Sequence, residues 1–237
     1  MSLVSVRECP ASLASELSEN VQYQGRKPSR QGSEQRRLSI LEATLRIIVR
    51  EGMRGVRHRA VAAEARVPLS ATTYYFKDIQ DLITDSFALF VERSSANLAV
   101  LWQGIEVEFQ RLAEASRQDP QARQRIVDHT IDLAVEHVAT KVRNSTADVL
   151  AELAFRHEAL THPALRKLAE AHQQLRFHFA EMALTAMGSQ APVEDARVLT
   201  TLIFRMEYHA VVEGVEDHDM QGQRAVLRRF LNLVVGI

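Results

Sequence analysis

A chain of 237 residues is long enough for one or two domains with a substantial core, and its 46% hydrophobic and 25% charged residues are ordinary for a soluble protein. A single cysteine, Cys9, excludes an intrachain disulfide framework and a multi-cysteine metal site, and no apolar run nears the roughly 18 residues a bilayer span requires. The net charge of −1 hides an asymmetry: residues 26–77 carry +8, which suits a phosphate-facing surface, whereas residues 78–237 carry −7, which a polyanion would repel.

Residues 1–32 are rich in Ser, Glu and Gln and sustain no apolar stripe beyond Leu13, Leu17 and Val21, which predicts a disordered extension. Its basic stretch, Arg26-Lys27-Pro28-Ser29-Arg30, reads equally as a minor-groove arm, a solvated tail or part of a start assigned too far upstream. Over residues 34–51, Ile40, Leu41, Thr44, Leu45, Ile48 and Val49 form a helical stripe with Arg36, Arg37, Arg46 and Arg50 largely off it, and Gly52 ends the helix. A second helix, about 57–65, turns Val61, Ala62 and Ala65 inward before Arg66-Val67-Pro68 breaks it. In a third, 69–76, Thr72, Tyr75 and Phe76 fall on a docking side, leaving Ser70, Ala71, Thr73, Tyr74 and Lys77 outward. Two short helices joined by a tight turn, the second presenting small, hydroxyl and aromatic residues, describe a helix-turn-helix able to enter a DNA groove.

The remainder reads as helix to its end. Asp78 or Asp81 starts a long helix through Leu82, Ile83, Phe87, Phe90 and Val91, which connects head to body. Asp119-Pro120 starts another, followed by Ile126, Ile131, Val135 and Val138. Further helices are predicted at about 145–160, 163–187, 193–215 and 220–236. Glycine-centred hairpins and alternating β-branched runs are absent, so the fold class is all-α, with no internal repeat of fixed period. The predicted organisation is 1–32 as the extension, 33–80 as the helix-turn-helix domain and 81–237 as an all-α effector-binding and dimerisation domain.

Catalysis finds no support in the sequence: there is no Gly-rich phosphate loop, nucleophile elbow or His-Glu-x-x-His pair, and Glu207-Tyr208-His209 are consecutive and point to different faces. The pairs His129/His137, His157/His162 and His172/His178 lack the helical spacing that sets two imidazoles on one metal, so no metal and no cofactor are expected. His137, Phe155, Phe177, Met182, Phe204 and Tyr208 are candidates for an apolar pocket with a few polar groups, although core packing accounts for the same residue types. The last two predicted helices carry apolar stripes with surface to spare, and Leu202, Met206, Leu227, Phe230, Leu231 and Val234 are the candidate dimer contacts.

From about Ser33 to Leu82, the ordered series Ile40-Leu41-Glu42-Ala43, Glu51-Gly52, Val61-Ala62 and Thr73-Tyr74-Tyr75-Phe76, followed by Lys77-Asp78, resembles the DNA-binding domain of the TetR family of bacterial transcriptional regulators. The single cysteine, with no apolar span and no secretory core, predicts a cytoplasmic location. The resemblance implies a homodimer, its last two helices packing against their twins, that binds a double-stranded DNA operator and responds to a small-molecule effector of unknown identity; a repressor released from a palindrome is the leading form. Phosphate contacts fall to Arg54, His58, Arg59, Tyr75 and Lys77, and base-edge contacts to Ser70, Ala71, Thr73 and Tyr74. Three positions depart from the family pattern: Arg57 replaces a small hydroxyl cap, Arg66 a turn glycine and Ile79 a phosphate-contacting lysine. The alternatives are a DNA-binding architectural protein or constitutive regulator without effector and, less favoured, an all-α enzyme.

Overall fold

The computed structural model describes residues 23–26, 31–116, 119–214 and 219–236, and among these all regular structure is helical. The described residues fall into two compact units, one made of those within 23–96 and 150–172, the other of those within 97–149 and 173–236.

In the first unit, α1 (Gln31–Glu51) buries the expected Ile40, Leu41, Thr44 and Ile48 and adds Ala43 and Ile47. Gly52, at φ 72°, ends it, and its N–H donates to the Ile48 carbonyl at 2.9 Å. A short 3-10 turn (Met53–Gly55) leads to α2 (His58–Ala65) and α3 (Leu69–Tyr75). Arg57 supplies no side-chain cap to α2. Arg66 holds the turn in the left-handed conformation, φ 55° and ψ 42°, where a glycine would save about 1 kcal/mol. Asp78 caps α4 (Ile79–Ser116), its Oδ1 accepting the Asp81 N–H at 2.8 Å.

Arg37 departs from the sequence expectation. It belongs not to the solvated face of α1 but to the interior at 2% exposure, because Asp85 of α4, fully buried, receives its Nη2 at 2.9 Å. The same carboxylate accepts the backbone N–H of Gln24 at 2.6 Å and of Gly25 at 3.0 Å. Burial pushes the Asp85 carboxyl above the ordinary carboxylate value, against the pull of these amides and the guanidinium. Phe155 stacks on Phe87, with ring centroids 4.4 Å apart, and closes the apolar core of this unit.

The second unit is built from the rest of α4, most of α5 (Pro120–Glu158), the end of α6 (Pro163–Ala186), α7 (Pro192–Glu213) and α8 (Met220–Val235). Asp119 starts α5 as its position before Pro120 predicts: Oδ1 accepts the Gln121 N–H at 2.9 Å and Oδ2 the Ala122 N–H at 3.2 Å. These amides, chiefly that of Gln121, hold its carboxyl below the ordinary value. α5 runs unbroken where the sequence suggested two helices, since no proline or glycine interrupts residues 121–158. Its packed stripe is Ile126, Ile131, Val135, Val138 and Val142.

Candidate nucleic-acid interface and ligand cavity

On the head, the order of small and bulky residues along α3 decides which side docks. Thr72 is buried, with its Oγ1 donating to the Leu69 carbonyl at 2.8 Å and lying 3.2 Å from His58 Nδ1, so α2 and α3 are tied where they meet. The opposite side leaves Ser70, Thr73 and Lys77 exposed, Tyr74 55% exposed and Ala71 half-buried. Arg54 on the 3-10 turn and Arg59 on α2 are exposed, and His58 is half-buried. Tyr75 is the correction: at 4% exposure its ring belongs to the head core, because its position on α3 turns it with Thr72 toward α1, and the phosphate role assigned from sequence is withdrawn. Arg46 and Arg50 are engaged within the head, both paired to Glu64, at 2.7 and 3.2 Å. Hydrogen bonds from Arg46 and then Arg50 hold the Glu64 carboxyl below its ordinary range.

The second unit holds a cavity of about 180 Å³ that is partly open to solvent. Its walls are mainly aliphatic: Leu98 from α4, Leu133 and Ala134 from α5, Ala180 and Ala183 from α6, Ile203 from α7, and Leu227 and Leu231 from α8. The space exists because alanines stand where larger side chains would meet. Phe179 is the one aromatic in the wall, and His137 and Arg176 supply its charged or titratable groups. Behind them lies the buried Glu207, whose Oε1 receives Lys141 Nζ and Arg176 Nη2, both at 3.0 Å, with His137 Nε2 at 3.9 Å.

Of the pocket residues chosen from sequence, His137 alone lines this cavity. Phe155 is core of the other unit, Phe177 lies under the Arg197 guanidinium at 6.0 Å, Met182 and Phe204 are half-buried outside the lining, and Tyr208 is exposed. Aromatic content located apolar helix faces but not the void, which forms where side chains are small. The alanine pair 180 and 183, one helical turn apart, is the signal that could have found it.

The last two helices turn their stripes partly inward. Met206, Leu227 and Leu231, expected at a dimer interface, are buried within their own unit, and Leu227 and Leu231 line the cavity. Leu202, Phe230 and Val234 are half-buried. The outward apolar residues are instead Val198, Tyr208 and Val212 on α7 and Val226 and Leu233 on α8. His172 is a core histidine, its Nε2 2.9 Å from Ser94 Oγ and its ring edge-on to Phe90. No group of three or more potential metal ligands occurs among the described residues, and no described helix is long and apolar enough to cross a membrane.

A helix-turn-helix head whose α3 leaves one side in solvent, followed by an all-α unit with an apolar cavity, is the architecture of transcription regulators. Residues 121–236 match the family model described as the tetracyclin repressor-like, C-terminal domain. A TetR-family member from Streptomyces coelicolor is 25% identical, with 82% of this chain and 97% of that one covered and a TM-score of 0.56. The multidrug binding protein EbrR, in complex with ethidium, is 26% identical over 82% of this chain and 97% of its own, with a TM-score of 0.56. A regulator from Saccharomonospora viridis in complex with choline, 21% identical with 84% and 96% covered, shares the fold at a TM-score of 0.55. No curated protein sequence matches the chain at a significant level. Residues 121–236 thus match the family's C-terminal domain, and over 82% of its length the chain is similar to a TetR-family transcriptional regulator.

Proposed function

We propose that the protein is a homodimeric repressor whose two heads occupy successive major grooves of a palindromic operator and leave it when a small molecule fills the cavity of the second unit. The observation that carries the DNA reading is the exposed side of α3, where Ser70, Thr73, Tyr74 and Lys77 stand in solvent while Thr72 and Tyr75 hold the helix to the core. Base edges are read by Ala71, Thr73 and Tyr74 with Ser70, and phosphates are held by Lys77, Arg54, Arg59 and His58. Residues 33–80 act as the reading domain and the chain after them as the effector and dimerisation part.

Gel shifts test this reading. Thr73→Ala and Tyr74→Ala should each lose about 1–3 kcal/mol of discrimination between operator and unrelated DNA, whereas Lys77→Ala should weaken both alike. Normal binding by all three variants would remove α3 from the groove.

The lining also constrains the effector. An engineered cavity of roughly 150 Å³ holds benzene, so this space suits a compact molecule of somewhat larger size. No carboxylate and only one aromatic ring belong to the lining, which suits an uncharged or anionic apolar compound better than a cationic dye. A thermal-shift series of medium-chain carboxylates, their alcohols and ethidium should show stabilisation by the first two and not the third. Ala180→Leu should abolish that response while leaving operator affinity intact. A ligand lowers operator affinity only through its differential affinity for the two dimer states, and a hundredfold release requires about 2.7 kcal/mol of coupling.

A further inference from the structure

Ahead of the first helix, Tyr23–Arg26 is fastened to the head at every residue. Tyr23 Oη donates to Glu92 Oε2 at 2.6 Å, and its ring faces the Arg37 guanidinium at 4.3 Å. The N–H groups of Gln24 and Gly25 end on the two oxygens of Asp85, and the N–H of Arg26 donates to the Tyr75 carbonyl at 2.9 Å. Gly25 lies flat against the core: a Cβ there would stand 2.8 Å from the Phe76 ring and 2.9 Å from the Tyr75 carbonyl oxygen. A buried ion pair is costly to desolvate, and part of what Arg37 and Asp85 hold is this strap.

The strap ends on the reading face. The Arg26 guanidinium carbon sits 4.5 Å from the centre of the Tyr74 ring, and both residues are exposed. Stacking uses the face of a guanidinium and leaves its in-plane N–H donors directed outward, the arrangement in which Arg binds a phosphate while holding an aromatic ring.

The geometry points to Arg26 as a further DNA-contacting residue: the strap clamped on Asp85 seats its guanidinium on Tyr74, where it bonds a backbone phosphate and fixes the ring that faces the bases. This rests on the reading that the α3 face enters DNA. The device serves both affinity and specificity, since one stacked pair supplies a phosphate contact and a ring with few orientations.

The test uses the full-length protein and a duplex that the wild type selects from a random-sequence pool; failure to select any duplex would sink the DNA-binding reading itself. With such a duplex in hand, Arg26→Ala, exposed and hence without consequence for folding, should weaken binding about tenfold at low salt, the effect of a charge-assisted hydrogen bond. It should also flatten the dependence of log affinity on log salt by about 0.9 for each phosphate that the variant leaves unneutralised. The Arg26→Ala/Tyr74→Ala double variant should lose less than the product of the two single losses, because each partner needs the other. Gly25→Ala keeps the Arg26 charge but pushes the strap off Phe76, and should reproduce the Arg26→Ala loss. An unchanged affinity and salt slope for Arg26→Ala, or strictly multiplicative losses in the double variant, would overturn the proposal. Wild-type binding by Gly25→Ala would overturn the role of the strap.

Discussion

Asp85→Ala should destabilise the head by about 3–5 kcal/mol. The variant leaves the Arg37 guanidinium, 2% exposed, without the carboxylate that neutralises it; Glu34, three residues away on α1 and 41% exposed, reaches Nη1 at 3.3 Å and is too solvated to replace it. Two backbone amides, of Gln24 and Gly25, lose their acceptor in the same step. Urea denaturation of the full-length variant, followed by far-UV circular dichroism, should show loss of the head at lower denaturant than in the wild type. A paired replacement, Arg37→Met with Asp85→Leu, separates charge from packing. It removes the buried charges together, so most of the stability should return. The strap loses its Asp85 anchor in this double variant and keeps only Tyr23 on Glu92 and the Arg26 N–H on the Tyr75 carbonyl, so DNA affinity should stay below that of the wild type even though the head is folded. A melting curve for Asp85→Ala that matches the wild type would mean that the pair is not closed from water.

The second large effect concerns assembly. Val212 is 65% exposed and Leu233 63% exposed, on the two adjacent helices α7 and α8, and with Val198, Tyr208 and Val226 they are the large apolar residues that these helices leave in solvent. A two-fold interface presents the same patch on both subunits, so a single substitution is felt twice. Val212→Glu/Leu233→Glu should therefore yield folded monomers, because neither residue contributes to the core of its own unit. Replacing Leu231 instead would unfold the unit, since it is 1% exposed and lines the cavity, and would say nothing about association. Light scattering with circular dichroism distinguishes these outcomes. Operator affinity of the folded monomer should fall by roughly a hundredfold or more, because the second head no longer binds at the effective concentration set by the first. A dimer that survives both substitutions would move the interface away from α7 and α8.

Periodicity and punctuation carried much of the fold. The stripe through Ile40, Leu41, Thr44 and Ile48, the glycine at 52, the Asp119-Pro120 start and the docking of Thr72 and Phe76 are local properties, set by 3.6-residue spacing and by which residues tolerate a helix end, and each stands in the structure where the sequence puts it. The outward side of α3 was legible for the same reason: which residues of a short helix face outward follows from their spacing once its docking side is fixed. What the tertiary structure decided is which distant residues share a space. Phe155 and Phe177 were drawn to one pocket by their chemistry, yet one stacks on Phe87 and the other lies beneath Arg197, because an aromatic ring gains most by filling a core rather than leaving room beside it. The cavity forms instead where Ala134, Ala180 and Ala183 leave volume unfilled, a property of several helices together that no one helix displays. Arg37 makes the same point from the other side: spacing places it off the apolar stripe of α1, and only Asp85, 48 residues further on, turns it inward, since a charge enters a core only when its partner comes with it.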